Sequence, residues 1–90
     1  MKKILIKNVK SFINEDVRLD GWVYNKRSSG KIGFLMLRDG TGILQGIFFK
    51  PEIGELLFNE FKTLTQESSV SVEGKITSNE KAEGGCEIQV

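Results

Sequence analysis

A glycine-rich turn between two alternating segments constrains the fold of this chain more than any other feature. Leu35 and Leu37 recur at every second position within residues 32–38, and this spacing predicts a strand with one apolar face. Asp-Gly-Thr-Gly follows at 39–42 and supplies glycines where a hairpin turn needs positive φ. Residues 43–50 predict the partner strand, so the centre of the chain should form a β-hairpin.

Three other segments predict further strands. Residues 17–24 alternate apolar and polar side chains up to Gly21, where two large apolar residues in succession indicate a bend or a bulge. Residues 69–76 alternate again, and residues 86–90 begin a fifth strand after a polar loop predicted over 77–85. The apolar face of the fifth strand carries Cys86, Ile88 and Val90.

Two helices complete the predicted pattern. Pro51 suits the first turn of a helix that follows the third strand. The apolar stripe predicted for this helix comprises Ile53, Leu56, Leu57, Phe61 and Leu64. A short N-terminal helix around Phe12 and Ile13, capped by Ser11, is also predicted. Five strands with a helix between the third and fourth are the layout of the OB-fold, an all-β barrel whose second and third strands present a nucleic-acid-binding face.

Composition narrows the chemistry that this chain can carry. Its 90 residues make one domain with a small core. The chain has no histidine, which excludes Ser/His and Cys/His nucleophilic catalysis and histidine-bearing zinc sites. A single cysteine, Cys86, cannot form an internal disulfide, so a reducing, cytoplasmic setting is expected. One cysteine cannot hold a metal alone. Acid–base catalysis by carboxylates stays open, but no recognisable spacing pairs them, so we expect no catalytic site, metal site or cofactor within the chain.

Charge is distributed unevenly along the chain. Residues 1–38 hold nine Lys and Arg against three acidic residues, whereas residues 39–90 hold four lysines against nine acidic residues. This asymmetry favours an anionic partner for the first part of the chain. A solvated surface of both signs explains it equally well.

Three side chains near the predicted hairpin suit one unstacked nucleobase. Phe34 offers a ring for stacking, Arg27 a charge for a phosphate, and Gln45 a donor and an acceptor for a base edge. An isolated aromatic residue in a strand is usually core, but Phe34 alternates with the leucines of its strand and should face outward. Lys26 and Lys31 add positive charge to the loop predicted before this strand.

Several motifs together resemble a known family. They are Gly21-Trp22-Val23, Arg27-Ser28-Ser29-Gly30-Lys31-Ile32, Phe34, Arg38-Asp39-Gly40-Thr41-Gly42 and Leu44-Gln45. This set resembles the N-terminal anticodon-binding domain of class IIb aminoacyl-tRNA synthetases, which charge aspartate, asparagine and lysine. The similarity covers nearly the whole chain and is strongest over residues 17–49. Within the subclass, residues 26–31 are most similar to the asparaginyl enzymes, because aspartyl enzymes usually place Asp-Leu where this chain has Ser28-Ser29.

The resemblance implies a role for each residue of the site. Phe34 would stack on the middle anticodon base, a uracil in all three tRNA sets, and Gln45 would hydrogen-bond its edge. Arg27 would contact the same nucleotide or its phosphate. The other candidate nucleic-acid-binding residues are Lys26 and Lys31, for phosphates, and Glu73, which is either a reader of a neighbouring base or simply exposed.

The resemblance also implies a larger parent protein. The chain stops at Val90 inside an apolar alternation, so we expect residues 1–90 to be one OB-fold anticodon-binding domain that lacks its C-terminal catalytic domain. The parent would be homodimeric and cytoplasmic, would use ATP and magnesium, and would bind a tRNA anticodon loop but no membrane. Aspartyl or lysyl specificity, a free-standing single-strand-binding OB-fold and a barrel that has lost RNA binding stay open as alternatives.

Overall fold

A computed structural model describes residues 1–82 and 85–90, which contain one six-stranded sheet. Its strands are β1 (Lys2–Lys3), β2 (Asp16–Ser29), β3 (Ile32–Arg38), β4 (Ile43–Phe49), β5 (Ser69–Ser78) and β6 (Cys86–Gln89). The helices are an N-terminal 3₁₀ helix (Ile6–Phe12), α1 (Lys50–Ile53) and α2 (Glu55–Thr63). Among the described residues, no helix is long and apolar enough to cross a membrane.

The sheet closes on itself as a barrel. Its strand order is β1-β2-β3-β4-β6-β5, and β5 also pairs with β2. β2 pairs antiparallel with β3 and β5, β3 pairs antiparallel with β4, and β6 lies parallel to β4 and antiparallel to β5. Five longer strands with the helices between β4 and β5 confirm the predicted OB-fold. The two-residue β1, parallel to the start of β2, was not predicted.

The long strand β2 closes the barrel because it pairs with two different strands along its length. Its first half, from Asp16 to Trp22, pairs with β5, and its second half, from Trp22 to Ser29, pairs with β3. At Gly21 a Cβ would collide with the Arg38 carbonyl oxygen of β3, so only glycine allows the strands to cross this closely. The predicted irregularity is a bulge slightly later, where the register shifts between Val23 and Asn25.

Two predicted boundaries are wrong. The cationic segment at 26–29 is not a loop but the end of β2, paired with the start of β3 through to Ser29 and Ile32. A tight turn at Gly30 and Lys31 is enough to reverse the chain, so the pairing extends to its edge. Likewise β5 continues to Ser78, into the predicted loop 77–85. Glu83 and Gly84 of that loop lie outside the described residues.

α2 closes one end of the barrel with aromatic side chains. Phe58 and Phe61 are buried, and the Phe61 ring centroid lies 4.8 Å from that of Phe48 on β4 and 5.7 Å from that of Phe58. The barrel core itself consists of buried aliphatic side chains from every long strand, including Val17, Leu19, Val23, Leu35, Leu37, Leu44, Val72, Ile76 and Ile88.

The predicted helical stripe is only partly correct. Phe61 is buried, and Ile53 and Leu64 pack against the core, but Leu56 is 85% exposed and Leu57 41%. The reason is Gly54, whose φ of 89° ends α1 and starts α2. The break resets the helical phase, so α2 turns Phe58 rather than the two leucines toward the barrel.

The N-terminal helix also differs from its prediction. It runs from Ile6 to Phe12, ends where it was expected to begin, and has no side-chain cap from its own N-cap residue. Its free N–H groups are instead bound by the distant β3–β4 turn. Asp39 Oδ2 accepts from the Ile6 N–H at 2.8 Å, and Thr41 Oγ1 accepts from the Lys7 N–H at 3.1 Å. A cap 33 residues away cannot be found from local sequence.

Burial alone would raise the pKa of the Asp39 carboxyl. Hydrogen bonds donated by the Ile6, Thr41 and Gly42 N–H groups and by the Thr41 hydroxyl outweigh it and hold the pKa below its ordinary value. Asp39 thus joins the hairpin turn to the 3₁₀ helix as an ionised acceptor.

Candidate nucleic-acid interface

The outward face of β2, β3, β4 and β6 forms a continuous surface, here called the outer wall. It is defined by Arg27, Phe34, Met36, Gln45, Ile47, Glu87 and Gln89, which share one side of the sheet by register. On β3 the alternation is clear, because Leu35 is 1% exposed and Leu37 is fully buried while Phe34 lies outside the core cluster. The prediction that Phe34 faces outward is confirmed, and its alternative reading as a core residue is rejected.

The bulge in β2 brings Arg27 onto the outer wall. Val23 points into the core, and strict alternation from there would turn Arg27 inward as well. The extra residue between Val23 and Asn25 reverses the alternation, so Arg27 pairs with Phe34. The guanidinium carbon then lies 4.1 Å from the Phe34 ring centroid, a close cation–π contact. Ring and guanidinium form one stacked unit that a base can join.

The same bulge sends Lys26 to the other side of the sheet. Lys26 pairs with Leu35, and its Nζ donates to the carbonyl oxygens of Phe61, at 3.1 Å, and Lys62, at 2.5 Å. A cation there binds carbonyl oxygens at the C-terminal end of α2 and complements its dipole. The structure therefore places Lys26 at a helix end, away from Phe34, whereas Lys31 is exposed at the tip of the β2–β3 hairpin.

Gln45 lies diagonally across from Phe34. It faces Met36 on β3, and the next outward residue of β4, Ile47, faces Phe34. Diagonal neighbours in an antiparallel pair have side chains about 7–8 Å apart, a separation that one nucleobase can span. The structure thus brings Arg27, Phe34 and Gln45 together on one open surface, as the sequence predicted.

Sequence reasoning missed a carboxylate and a second amide beside Gln45. Glu87 is the parallel partner of Gln45, and only 8% of it is exposed. Its Oε2 accepts from Gln45 Nε2 at 3.2 Å, and its Oε1 accepts from Gln89 Nε2 at 3.2 Å. The signal was present in the fifth strand: Cys86 and Ile88 were assigned to one face, which leaves Glu87 and Gln89 on the other.

Glu73 lies on β5, which is separated from the strand of Gln45 by β6. It is exposed and pairs with Arg18 of β2, on the far side of the barrel closure. Lys75, not Glu73, faces Gln89 across β5 and β6. The structure therefore does not bring Glu73 together with Phe34 and Gln45.

A second cluster occupies the other end of the β2–β3 pair. The Arg38 guanidinium lies 5.1 Å from the Trp22 ring centroid and 5.3 Å from that of Tyr24. Its Nη2 also contacts the Glu67 carboxylate at 3.3 Å. Arg38 Nε is buried without a hydrogen-bond partner within the described part of the chain. Charge and aromatic surface therefore flank both ends of β3.

Comparison with known proteins gives concordant results. A model of the tRNA anti-codon family, described as an OB-fold nucleic acid binding domain, matches residues 17–90. An asparagine–tRNA ligase from Pelotomaculum thermopropionicum is 49% identical over 90 residues, which are 100% of this chain and 21% of that protein. The crystal structure of asparaginyl-tRNA synthetase from Pyrococcus horikoshii matches with a TM-score of 0.92 and 43% identity, over 98% of this chain and 21% of that one.

A more distant structural match extends the likeness of fold. The aspartyl tRNA synthetase from Entamoeba histolytica is 23% identical and has a TM-score of 0.87, over 100% of this chain and 20% of that one. At this identity the match speaks for the fold alone. The chain spans about a fifth of the length of the relatives it matches, 21% of the two asparaginyl proteins.

Proposed function

Because the chain belongs to the tRNA anti-codon family of OB-fold nucleic acid binding domains, we propose that it recognises a tRNA anticodon as the N-terminal domain of an asparaginyl-tRNA synthetase. The observation that carries this proposal is the convergence of Arg27, Phe34 and Gln45 on the outer wall, with Arg27 stacked 4.1 Å from the Phe34 ring. Asparaginyl specificity is supported by the 49% and 43% identity to asparaginyl proteins.

The outer wall offers each interaction that one unpaired pyrimidine needs. The central anticodon base stacks on the Arg27–Phe34 unit, which contributes roughly 1–3 kcal/mol. The Gln45 amide donates to a uracil oxygen and accepts from its N3–H, whereas cytosine has an acceptor at that ring nitrogen. Arg27 and Lys31 lie on the β2–β3 hairpin. Their positive charges neutralise the phosphates on either side of the bound base. The domain selects and positions a tRNA; it makes and breaks no bond.

The reaction belongs to the parent protein. We propose that a catalytic domain of the same parent chain joins asparagine to tRNA, using ATP and magnesium, and that the parent is a homodimer in the cytoplasm. Among residues 1–82 and 85–90, no cluster of three Cys, Asp or Glu side chains is arranged to hold a metal ion. The full-length protein that contains this domain is expected to attach asparagine, and not aspartate or lysine, to tRNA when ATP and magnesium are supplied.

Base preference tests the proposal directly. The 90-residue chain is titrated with two anticodon stem-loops that differ only in a central uracil or cytosine. We expect about tenfold tighter binding of the uracil RNA, because cytosine leaves one edge hydrogen bond unmade. Equal affinity for both RNAs would refute anticodon reading and favour a single-strand binder without base preference. No measurable affinity for either would favour a barrel that has lost RNA binding.

A further inference from the structure

The Gln45–Glu87–Gln89 cluster fixes the orientation of two amides at once. Glu87 accepts a hydrogen bond from each glutamine, so both glutamines turn their NH₂ groups toward its carboxylate. The two contacts, both 3.2 Å, engage different carboxylate oxygens. The amide assignment therefore follows from the chemistry of the partner and does not depend on telling nitrogen from oxygen by position.

This orientation leaves the amide carbonyl oxygens free. Within the described residues, Arg38 Nε is the one buried side-chain polar atom without a partner. The Oε1 atoms of Gln45 and Gln89 accept no protein hydrogen bond there, so they are not fully buried and keep some access to solvent on the half-buried outer wall. Without Glu87, each amide could rotate by half a turn and present its NH₂ group instead.

We propose that Glu87 is a positioning residue that gives the outer wall its preference for bases with an imino N–H. By holding both NH₂ groups, it presents two acceptor oxygens, and only uracil and guanine offer a ring N–H donor to such an acceptor. Cytosine and adenine have an unprotonated ring nitrogen at the corresponding position, and its lone pair is repelled by the lone pairs of the glutamine oxygen. This inference rests on the proposed function and deepens it, because it assigns selectivity to a residue that need not touch RNA.

The burial of Glu87 supports a role beyond surface charge. A carboxylate that is 8% exposed loses most of its hydration, and two neutral amide donors replace only part of it. A nonpolar residue of the same length would fill this site on the sheet without that cost. The arrangement therefore favours fixed amide orientation over stability.

The test separates positioning from charge with matched variants of the 90-residue chain. Glu87→Leu removes both acceptor oxygens. Glu87→Gln leaves one acceptor oxygen, which can hold only one of the two glutamine NH₂ groups. Glu60→Gln is the control, because it removes one negative charge from an exposed position on α2. Side-chain amide NMR signals of Gln45 and Gln89 are recorded without RNA, and each variant is titrated with the uracil and cytosine stem-loops. The dispersion of the backbone NMR spectrum reports whether each variant is folded.

The expected result has two parts. Without RNA, Glu87→Leu removes the downfield shift of one NH₂ proton of each glutamine, while Glu60→Gln leaves both signals in place. With RNA, the ratio of uracil to cytosine affinity falls from about tenfold toward one in Glu87→Leu, partly through tighter binding of the cytosine RNA. Glu87→Gln narrows the ratio as well, and Glu60→Gln changes both affinities by the same factor.

Other results decide between the inference and the function it rests on. A wild-type preference for uracil that survives in Glu87→Leu and Glu87→Gln overturns the positioning role and leaves anticodon reading intact. Amide signals unaffected by Glu87→Leu overturn it as well. A wild-type chain that binds both RNAs equally, or neither, refutes anticodon reading by the outer wall, and the positioning role falls with it.

Discussion

Removing the Phe34 ring should weaken RNA binding without unfolding the domain. The ring lies outside the core cluster, and the Arg27 guanidinium carbon lies 4.1 Å from its centroid. A partly exposed cation–π contact contributes about 0.5–1 kcal/mol, so Phe34→Ala should lower the free energy of unfolding by roughly that amount. Loss of a stacking platform costs about 1–3 kcal/mol of binding, a roughly 5- to 150-fold weaker affinity.

Phe58→Ala provides the matched control, because Phe58 is also an aromatic residue but is 1% exposed in the core. Truncating it should lower the free energy of unfolding by about 3–5 kcal/mol. Urea denaturation followed by circular dichroism measures both stabilities, and titration with the uracil stem-loop measures affinity. The reasoning is refuted if Phe34→Ala loses as much stability as Phe58→Ala, or if it binds the RNA as tightly as the wild type.

Three further perturbations test separate parts of the account. Gln45→Ala should reduce the preference for uracil over cytosine more than it reduces total affinity, and an equal loss on both RNAs would count against an edge contact. A double variant, Arg27→Ala with Lys31→Ala, should lower the slope of log affinity against log salt concentration by about 1.4, because each lost phosphate contact lowers it by about 0.7. An unchanged slope would exclude phosphate contact by these two residues. The free energy of unfolding should fall as the pH drops below 4, because the pKa values of Asp39 and Asp20 in the folded state lie below the ordinary value of 3.8. Hydrogen bonds from Arg18, Ser71 and Lys3 lower the pKa of Asp20 to about 2. Asp39→Asn should flatten this dependence in acid denaturation experiments, and an unaltered pH profile would show that its carboxylate caps nothing.

Local patterns were enough to predict the barrel and the centre of the outer wall. The alternation of Leu35 and Leu37 placed Phe34 on the outward face, because side chains in a strand alternate with a period of two. The turn at 39–42 then fixed β4 beside β3, so Gln45 had to lie near Phe34. Both inferences depend on neighbours in sequence, which is where sequence patterns are most informative.

Two features that sequence analysis misplaced or missed are local breaks in regular structure, and a third depends on a distant contact. The bulge that the sequence pattern placed at Gly21 lies between Val23 and Asn25, and this later position sets the faces of Lys26 and Arg27. Gly54 breaks the helix and changes which side chains are buried, although the stripe alone looked continuous. Glu87 reaches Gln45 through the parallel pairing of β4 and β6, strands separated by α1, α2 and β5, so the register could not be read from the sequence alone.

The contact between the central anticodon base and the outer wall can be measured directly. A stem-loop with 4-thiouridine at its central position is irradiated in complex with the wild-type chain, and the crosslinked peptide is sequenced. The account predicts crosslinks within β3 and β4, at or beside Phe34 and Gln45. Crosslinks confined to α2 or to the N-terminal 3₁₀ helix would contradict it.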